Sequence, residues 1–285
     1  MKISVVIPAF NRAYTLSRVI DSFIVQTYKN WECIIVDDFS TDETFTLVQS
    51  YIKKDKRIKY ILNTHCKGAQ GARNCGISSA IGEWIALFDS DDYVYPNFLE
   101  ELSKKISDNV DVITSKARMV DANSYEIVDI ANWCAEGFIL KNLLEGKIYI
   151  NFNGTLIRKK ALERINGTDV QCPSHQEYDT HIRLSRYSNY ASTNMILSDY
   201  YINASDTISV NKKKHFEGYV YILLKHKKLF RKYAYHIFLN KVKNIFFNKE
   251  LPQEIKAKVQ IKLLLNLPEL LVYIIYSKVK QLLKK

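Results

Sequence analysis

The stretch GEWIALFDSDDY, residues 82–93, joins an apolar run to a cluster of acids. Its first part, Trp84–Phe88, predicts a buried β-strand. Three carboxylates follow within four residues, those of Asp89, Asp91 and Asp92. Clustered acids repel one another, and Mg²⁺ or Mn²⁺ would remove the repulsion because both cations prefer oxygen ligands, often carboxylates together with substrate phosphates. The spacing alone also allows a polar turn that leads into a helix at 97–106.

Upstream of this stretch, β-branched runs alternate with helical patterns. The predicted strands are Lys2–Ile7, Trp31–Val36 and Ile58–Leu62, and the predicted helices span 15–27, 41–53 and 69–80. The alternation predicts an α/β fold built on a Rossmann-like, doubly wound and mainly parallel sheet. Ligands of such sheets bind beyond the carboxyl ends of the strands. We therefore expect four loops to converge on one crevice: Pro8–Arg12, Asp37–Asp42, Asn63–Gly71 and Asp89–Tyr93.

Smaller features complete the pattern of this first part. Pro8 is expected to end the first strand. Ser40 or Thr41 is expected to cap the second helix, which leaves Asp37 or Asp38 available to accept a hydrogen bond from a ligand N–H. Downstream the pattern is mixed, with predicted strands at 110–114 and 156–157 and predicted helices at 159–166 and 176–187.

Two further segments combine charged residues with a predicted helix start. In KGAQGARNCG, residues 67–76, glycines let the backbone approach a ligand and the helix N-terminus favours phosphate. Arg73 in this segment is either a phosphate-binding fork or a surface charge. In SHQEYDTHIRLSR, residues 174–186, Glu177 and Asp179 stand at a helix start, where the helix dipole alone favours acids.

The composition, 47% hydrophobic and 25% charged over 285 residues, is that of a globular protein and excludes a disordered chain. Five cysteines, an odd number without a C-x-x-C pair, predict neither a disulfide framework nor a zinc knuckle. The apolar run near the N-terminus is too short for a signal peptide, and the longest apolar run, residues 270–276, is too short for a membrane span. We therefore expect a cytoplasmic protein.

Basic charge is concentrated in the last part of the chain. Residues 212–285 hold 18 Lys and Arg against 4 acids, whereas residues 1–211 hold 23 against 26. The sequence thus predicts a catalytic domain at 1–211 and a basic amphipathic helical tail at 212–285. An apolar stripe from Leu229 to Phe246, flanked by lysines, predicts either a packed helical subdomain or an anchor on an anionic membrane surface. A second apolar set runs from Ile255 to Leu267.

The tail also raises two other classes of function. A nucleic-acid binder could use these basic and aromatic residues, but it would leave the acidic crevice unexplained, so no nucleic-acid partner is expected. A non-catalytic protein could keep the fold without binding a nucleotide or a metal.

The segments together resemble the family 2 nucleotide-sugar glycosyltransferases, which have the glycosyltransferase A fold. The resemblance covers about residues 1–210. It rests on VVIPAFNR, QTYKNWECIIVDDFSTDET, GARNCGI, GEWIALFDSDDY and QEYD with IRL, which occur here in the order of the family.

The resemblance assigns a donor site by position. Pro8, Ala9, Phe10 and Asn11 correspond to the pocket for the base and ribose. Asp38 corresponds to the acid that reads the uracil edge, and Arg73 to a basic residue near the nucleotide. Asp89-Ser90-Asp91 is the D-x-D segment, in which Asp91 would bind a metal that bridges the diphosphate and Asp89 would contact the ribose or a water on the metal. Asp92 would lie near the sugar.

The resemblance also implies a catalytic base within Gln176-Glu177-Tyr178-Asp179. Glu177 occupies the position of the base, where Asp is more usual in the family, so Asp179 is the alternative. After Tyr201 the family often has a histidine, whereas this chain has Ile202 and Asn203, which leaves a third metal ligand open.

The function implied by the resemblance is a metal-dependent inverting transfer, with Mn²⁺ or Mg²⁺, of a hexose or N-acetylhexosamine from a UDP-sugar. The implied acceptor is a glycan hydroxyl, polyprenyl-diphosphate-linked, in the synthesis of a bacterial surface polysaccharide such as O-antigen or capsule. With the basic tail, this predicts a peripheral protein on the inner face of the cell membrane.

Overall fold

A computed structural model describes residues 1–202 and 211–282 of the chain, with side chains as far as residue 275. The chain folds into two units. The first, which we call the sheet unit, comprises Met1–Leu143, Ile148–Gln171 and Gln176–Ala204. The second, the helical unit, comprises Leu144–Lys147, Cys172–His175 and Ser205–Lys285. The division of function at residues 211 and 212 stays a prediction.

The sheet unit is built on one mixed nine-stranded sheet. Its strands are β1 (Ile3–Ala9), β2 (Trp31–Asp37), β3 (Ile58–Leu62), β4 (Trp84–Leu87), β5 (Tyr93–Val94), β6 (Val112–Asp121), β7 (Ile127–Asn132), β8 (Thr155–Arg158) and β9 (Tyr190–Ile202). They lie in the order β3-β2-β1-β4-β8-β6-β9-β5, with β7 paired to β6. Strands β1 to β4 are mutually parallel, as are β6 and β9, and the other pairs are antiparallel. The predicted α/β class is confirmed.

Helices cover the sheet unit between the strands. They are α1 (Ala13–Ile24), α2 (Thr44–Lys54), α3 (Ala69–Ser79), α4 (Phe98–Ser103), α5 (Leu140–Glu145), α6 (Lys159–Arg164) and α7 (Gln176–Leu184), with a 3-10 turn at Phe152–Gly154. Successive side chains of a strand point to opposite faces. Val5 packs in one core with Leu16 and Phe23 of α1. Val6 faces α3 so closely that a Cβ at Gly76 would lie 2.3 Å from its Cγ1, so helices cover both faces.

Two local expectations are wrong. Pro8 does not end β1, because β4 pairs with β1 only as far as Val6 and the missing N–H of Pro8 interrupts no bond there. Neither Ser40 nor Thr41 caps α2, which begins at Thr44. Instead, the Asp42 carboxylate accepts a hydrogen bond of 3.0 Å from the backbone N–H of Thr44. The Asp42 side chain satisfies one of the donors that a helix start leaves unpaired.

The helical unit contains α8 (Lys212–Lys225), α9 (Lys227–Tyr233), α10 (Tyr235–Phe246), α11 (Gln253–Asn266) and α12 (Pro268–Leu282). Its core is formed by the apolar residues of the two predicted stripes. Fully or almost fully buried are Phe230, Phe238, Val242, Ile245, Ile255, Val259, Leu263 and Leu267. The prediction that the stripe from Leu229 to Phe246 lies in a lipid headgroup layer is therefore wrong, because its central side chains face this core. In the described part of the chain, no helix has the length and apolar character needed to cross a membrane.

Candidate active site

The loop after β2 carries two buried acids with different surroundings. Asp37 is 3% exposed, accepts a hydrogen bond of 2.6 Å from the Tyr60 hydroxyl and binds the Ser40 hydroxyl, so it shapes the loop. Asp38 accepts hydrogen bonds of 2.7 Å from the Asn63 amide and from the backbone N–H of Gly68. Its carboxylate is thus fixed at the entrance to α3, with remaining lone pairs available to a ligand N–H.

The loop after β1 places an aromatic ring beside this acid loop. Phe10 is 46% exposed, and the Lys67 ammonium lies 5.4 Å from its ring centroid. Asn11 adopts a positive φ of 52° and accepts a hydrogen bond of 2.8 Å from the backbone N–H of Thr41. An open aromatic face of this kind suits stacking on a planar base.

Helix α3 begins with buried polar groups for which the described residues supply no hydrogen-bond partner. Both side-chain polar atoms of Gln70 and the Nε of Arg73 are buried without a hydrogen-bond partner among the described residues. The two residues are three apart and share one face of the helix. Unpaired buried donors are costly, so this face has the chemistry of a ligand-binding surface. A Cβ at Gly71 would lie 1.6 Å from the Cys66 carbonyl oxygen, so only glycine permits this close loop.

The D-x-D segment follows β4, and the side-chain amide of Asn153 holds it in place. Asn153 is fully buried and donates to the carboxylates of Asp89 and Asp92, while its own Oδ1 accepts a hydrogen bond of 2.9 Å from the Asp89 N–H. Asp92 also accepts a hydrogen bond of 2.7 Å from the Tyr201 N–H. Burial, and then the charges of Asp91 and Asp89, raise the pKa of Asp92. Asp92 therefore ties the loop to β9.

Arg73 and Glu177 both interact electrostatically with Asp89, the first acid of this segment. The Arg73 guanidinium pairs with the Asp89 carboxylate and lies 5.1 Å from the centroid of the Phe152 ring. Burial raises the pKa of Glu177, the positive charge of Arg73 opposes that shift, and the negative charge of Asp89 adds to it. The structure thus brings three residues predicted for the site into one electrostatic cluster.

Two tyrosines complete the surroundings of Glu177. Burial, and then the charge of Asp92, raise the pKa of Tyr200, and the charges of Glu177 and Asp89 add to the shift. The charges of the same two acids also reach Tyr149, which is 46% exposed. Tyr200 in turn packs edge-on against Trp133, with ring centroids 5.8 Å apart. Tyr200, on β9, thus brings an aromatic ring close to the acid cluster, and a ring of this kind suits a face of a sugar ring.

Asp179, two residues after Glu177, has a different environment. It is completely buried and accepts a hydrogen bond of 2.7 Å from the Arg183 Nε one helical turn later. Arg183 also donates to the backbone carbonyls of Ile165 and Gly167, at 2.8 and 2.6 Å. The Asp179–Arg183 pair therefore connects α7 to the chain segment before it.

The donor set for a divalent metal consists of carboxylate oxygens. Within residues 1–202 and 211–282, no three His, Cys, Asp or Glu side chains form a preassembled cluster. Asp89, with its side chain 25% exposed, and the half-buried Asp91 supply hard oxygen ligands. Such ligands fit Mg²⁺ or Mn²⁺, which complete their coordination with water and substrate phosphate. Asn203, where the third ligand was left open, lies outside the described residues.

Several residues of this site were not predicted from the sequence. They are Arg18, Gln70, Trp133, Tyr149, Asn153 and Tyr200. Arg18 donates to the Asp91 carbonyl oxygen, and its guanidinium lies 4.0 Å from the Tyr201 ring centroid. Only Gln70 lay inside a segment that the analysis had selected. The others come from helix α1 or from the second half of the sheet unit, and no local pattern connects them with the acids after β4.

The chain is similar to proteins of one known family. The family model described as Glycosyl transferase family 2 matches residues 4–165. The UDP-Glc:alpha-D-GlcNAc-diphosphoundecaprenol beta-1,3-glucosyltransferase WfaP of Escherichia coli is 30% identical over 221 residues, which cover 74% of this chain and 81% of that protein.

Solved structures share the fold at low sequence identity. S. aureus TarS 1-349 in complex with UDP-GlcNAc has a TM-score of 0.64 and 18% identity, over 93% of this chain and 72% of that one. The mannosyltransferase PcManGT from Pyrobaculum calidifontis, in complex with GDP-Man and Mn²⁺, has a TM-score of 0.61 and 16% identity, over 99% of this chain and 87% of that one. Because the family model spans more than half of the chain, the chain belongs to glycosyl transferase family 2 and is a glycosyltransferase with the glycosyltransferase A fold.

Proposed function

We propose that this glycosyltransferase moves a hexose from a UDP-sugar to a hydroxyl of a polyprenyl-diphosphate-linked glycan, with inversion at the anomeric carbon. The observation that carries the proposal is the cluster of Arg73, Asp89 and Glu177 at the carboxyl end of β4. The relative WfaP is named for UDP-Glc and a GlcNAc-diphosphoundecaprenol acceptor, so glucose is the first sugar to test. N-acetylhexosamine is the second.

In the proposed donor complex, the loops after β1 and β2 hold the nucleoside. Phe10 offers its exposed ring to the base, and Asp38 accepts from the uracil N–H with lone pairs that Asn63 and Gly68 leave available. Pro8 and Ala9 support the pocket from inside β1, and Asn11 fixes the loop through its bond to Thr41.

The diphosphate lies between the start of α3 and the D-x-D segment in this proposal. The Nε2 of Gln70 and the Nε of Arg73 are buried donors that its oxygens would satisfy. Asp91 and Asp89 would hold Mn²⁺ or Mg²⁺, and the bound cation would supply positive charge that stabilises the departing diphosphate. Ser90, buried between these acids, keeps the turn compact.

The transfer itself needs one base. An acceptor hydroxyl attacks C1 of the sugar opposite the leaving UDP, the C1–O bond to UDP breaks, and a Glu177 oxygen takes the hydroxyl proton. General-base assistance of this kind is worth ~10²–10⁴-fold. The raised pKa of Glu177 makes it a stronger base than an exposed carboxylate. Asp179 is the weaker candidate, because Arg183 already occupies its carboxylate.

We place the reaction at the inner face of the cell membrane, in the synthesis of a bacterial surface polysaccharide such as O-antigen or capsule. The proposed acceptor class supports a membrane location, since a polyprenyl diphosphate stays in the bilayer. The basic helical unit supplies the complementary charge for anionic lipid.

The proposal is tested with a donor and acceptor matrix. Nucleotide release is measured for UDP-, GDP- and dTDP-sugars with Mn²⁺ or Mg²⁺, in the presence or absence of a GlcNAc-diphosphate lipid. We expect acceptor-dependent UDP release that chelation stops, and a β-linked product by NMR from an α-linked donor. An α-linked product would contradict the single displacement, and turnover of a GDP- or dTDP-sugar alone would contradict the UDP assignment.

A further inference from the structure

The last two described helices carry an exposed apolar surface, which we call the α11–α12 face. It consists of Ile261, Leu265, Leu271, Val272 and Ile275. Leu265 is 79% exposed and Val272 is 68% exposed. Five large apolar side chains are exposed within 15 residues of sequence, and exposed apolar side chains at such a density mark interaction surfaces. Ile261 and Leu265 lie one turn apart on α11, as do Leu271 and Ile275 on α12.

This face is separate from the core of the helical unit. Val259 and Leu263 of α11 are 4% and 0% exposed and point into that core. Ile261 and Leu265 each follow one of them by two residues, a rotation of about 200° around the helix axis. Helix α11 is therefore apolar on two opposite sides, and among the side chains described up to residue 275 only one of these sides packs within the unit.

Lysines share the exposed side of α11 with these apolar residues. Lys258 and Lys262 are exposed and lie one turn apart. Ile261 and Leu265 each follow one of these lysines by three residues, so all four side chains share one face of the helix. Lysine stems can lie along an apolar surface while their ammonium groups reach outward. An exposed face that alternates lysine with large aliphatic residues has the composition of a helix lying in a membrane interface.

The acids on the two helices are already engaged. Glu269 of α12 accepts hydrogen bonds of 2.7 and 3.0 Å from Arg231, and Glu254 of α11 lies 3.9 Å from the Lys213 ammonium. Residues 253–282, which form the two helices, hold five lysines against these two acids, so their net charge is positive. It belongs to a segment with 18 basic and 4 acidic residues, so a second copy would bring like charges together.

We propose that the α11–α12 face docks on an anionic lipid bilayer, with its aliphatic side chains in the interface and its lysines at the headgroups. The inference deepens the proposed function, on which it rests for the membrane-bound acceptor. It replaces the stripe from Leu229 to Phe246 as the lipid-binding surface. Charge complementarity selects anionic lipid as the occupant, and binding is expected to weaken with salt.

The apolar part of the proposal is tested by two matched double variants of the full-length chain. Leu265→Gln with Val272→Gln removes two side chains of the face. Val25→Gln with Ile81→Gln removes two aliphatic side chains of the sheet unit that are 53% and 64% exposed. Partition onto vesicles of phosphatidylcholine and phosphatidylglycerol is measured by flotation. We expect the first pair to bind roughly tenfold more weakly or worse and the second to bind like the parent.

The charged part is tested in the same assay. Lys258→Gln with Lys262→Gln is compared with Lys53→Gln with Lys56→Gln, which removes the same charge from the exposed surface of the sheet unit. We expect the first pair to weaken binding by roughly tenfold or more and to reduce its salt dependence, and the second to have little effect. Vesicles of phosphatidylcholine alone should bind all proteins weakly.

Several outcomes would overturn the proposal. Equal vesicle binding by both members of a matched pair would remove the α11–α12 face as the docking surface. A dimer in sedimentation that Leu265→Gln with Val272→Gln dissociates would identify a second copy as the occupant. UDP binding and nucleotide release with a water-soluble acceptor are measured on the same variants. Absence of those activities in the parent chain as well, with vesicle binding that the substitutions on the α11–α12 face still weaken, would count against the proposed function and leave the docking surface standing.

Discussion

The sheet unit and the helical unit use charge in opposite ways. In the sheet unit, acids and bases of the crevice are buried beside one another, as in the pairs Arg73–Asp89 and Asp179–Arg183. In the helical unit, most basic side chains point to solvent while apolar residues form the core. Buried charges perturb each other's protonation, whereas exposed charges are screened by water and salt.

Substitutions in the two units should therefore change different properties of the protein. A change of charge in the crevice alters the protonation and orientation of groups that would touch the donor. A change of charge on the helical unit alters what the surface attracts, and a deletion in its core alters stability alone. The predictions below separate these consequences, beginning with the largest expected effect.

Glu177→Gln should lower kcat by ~10²–10⁴-fold, because the amide cannot take the acceptor proton. UDP affinity should stay near that of the parent. A raised pKa means that the folded state disfavours ionised Glu177. The folded protein therefore loses stability as the pH rises through the folded pKa of this group. The variant should therefore be at least as stable as the parent at neutral pH. Kinetics, calorimetry with UDP and thermal melting check the three parts.

Asp179→Asn is the matched control on the same helix. It should lower the free energy of unfolding by about 3–5 kcal/mol, because it leaves the buried Arg183 without its carboxylate partner. Activity per folded molecule should fall much less than in Glu177→Gln. A folded, inactive Asp179→Asn beside an active Glu177→Gln would assign the base to Asp179.

Phe230→Ala should lower the free energy of unfolding by about 3–5 kcal/mol, because the ring is fully buried and stacks on Phe238 with centroids 5.4 Å apart. UDP affinity of the folded variant should not change, since all proposed nucleotide contacts lie in the sheet unit. Phe247→Ala removes a ring that is 56% exposed and should leave both quantities near the parent. A loss of UDP affinity in Phe230→Ala would show that the nucleotide site depends on the helical core.

The strands and helices in the first half of the sheet unit could be predicted from the sequence, because each has a local signal. Strands β1 to β4 are short, β-branched and flanked by helices of regular period, so each could be recognised without knowledge of its neighbours. Their carboxyl ends then had to meet, which placed Asp38, Arg73 and Asp89 near one crevice. The α/β class followed from the same alternation.

The second half of the site depends on pairing between distant segments, which no local pattern encodes. Asn153 joins Asp89 and Asp92 from more than 60 positions away in the chain. Strand β9, with Tyr200, was missed because its polar residues do not alternate regularly with apolar ones. The helical character of the tail was predicted correctly, but the sequence left open whether the stripe from Leu229 to Phe246 packs in a core or lies in a membrane. A helical stripe of apolar residues has the same spacing in both cases.

Asn153→Ala should lower the free energy of unfolding by about 1–3 kcal/mol, because it leaves the buried Asp92 carboxylate without one donor. It also releases Asp89, so KM for the UDP-sugar should rise more than kcat falls. Chemical unfolding and steady-state kinetics test the two effects. Asn194→Ala, on an exposed part of β9, is the control and should change neither. Unchanged KM with reduced stability would limit Asn153 to a structural role.

The pH dependence of stability is expected to contain a small contribution from one histidine in each unit. Burial lowers the pKa of His181, in the sheet unit, from 6.5 to about 3, and burial together with the charge of His215 lowers the pKa of His175, in the helical unit, to about 4. Both folded sites therefore favour the neutral ring. The stability that each contributes is complete above pH 6.5, the unfolded value, and is lost as the pH falls through 6.5 toward the folded pKa.

At about pH 6, His181 should account for a loss of about 1 kcal/mol relative to about pH 8, by linkage between the folded and unfolded values. His181→Asn should lack that part of the pH dependence, whatever its absolute stability, and His175→Asn should lack a similar or smaller part. Urea unfolding at the two pH values measures the difference, and hydrogen exchange assigns it to one unit or the other. His236→Asn, at an exposed position, should keep the full dependence of the parent. If His175→Asn also raised the hydrogen-exchange protection of the sheet unit at the lower pH, the two units would unfold as one cooperative structure. Their different use of charge would then apply to their surfaces alone.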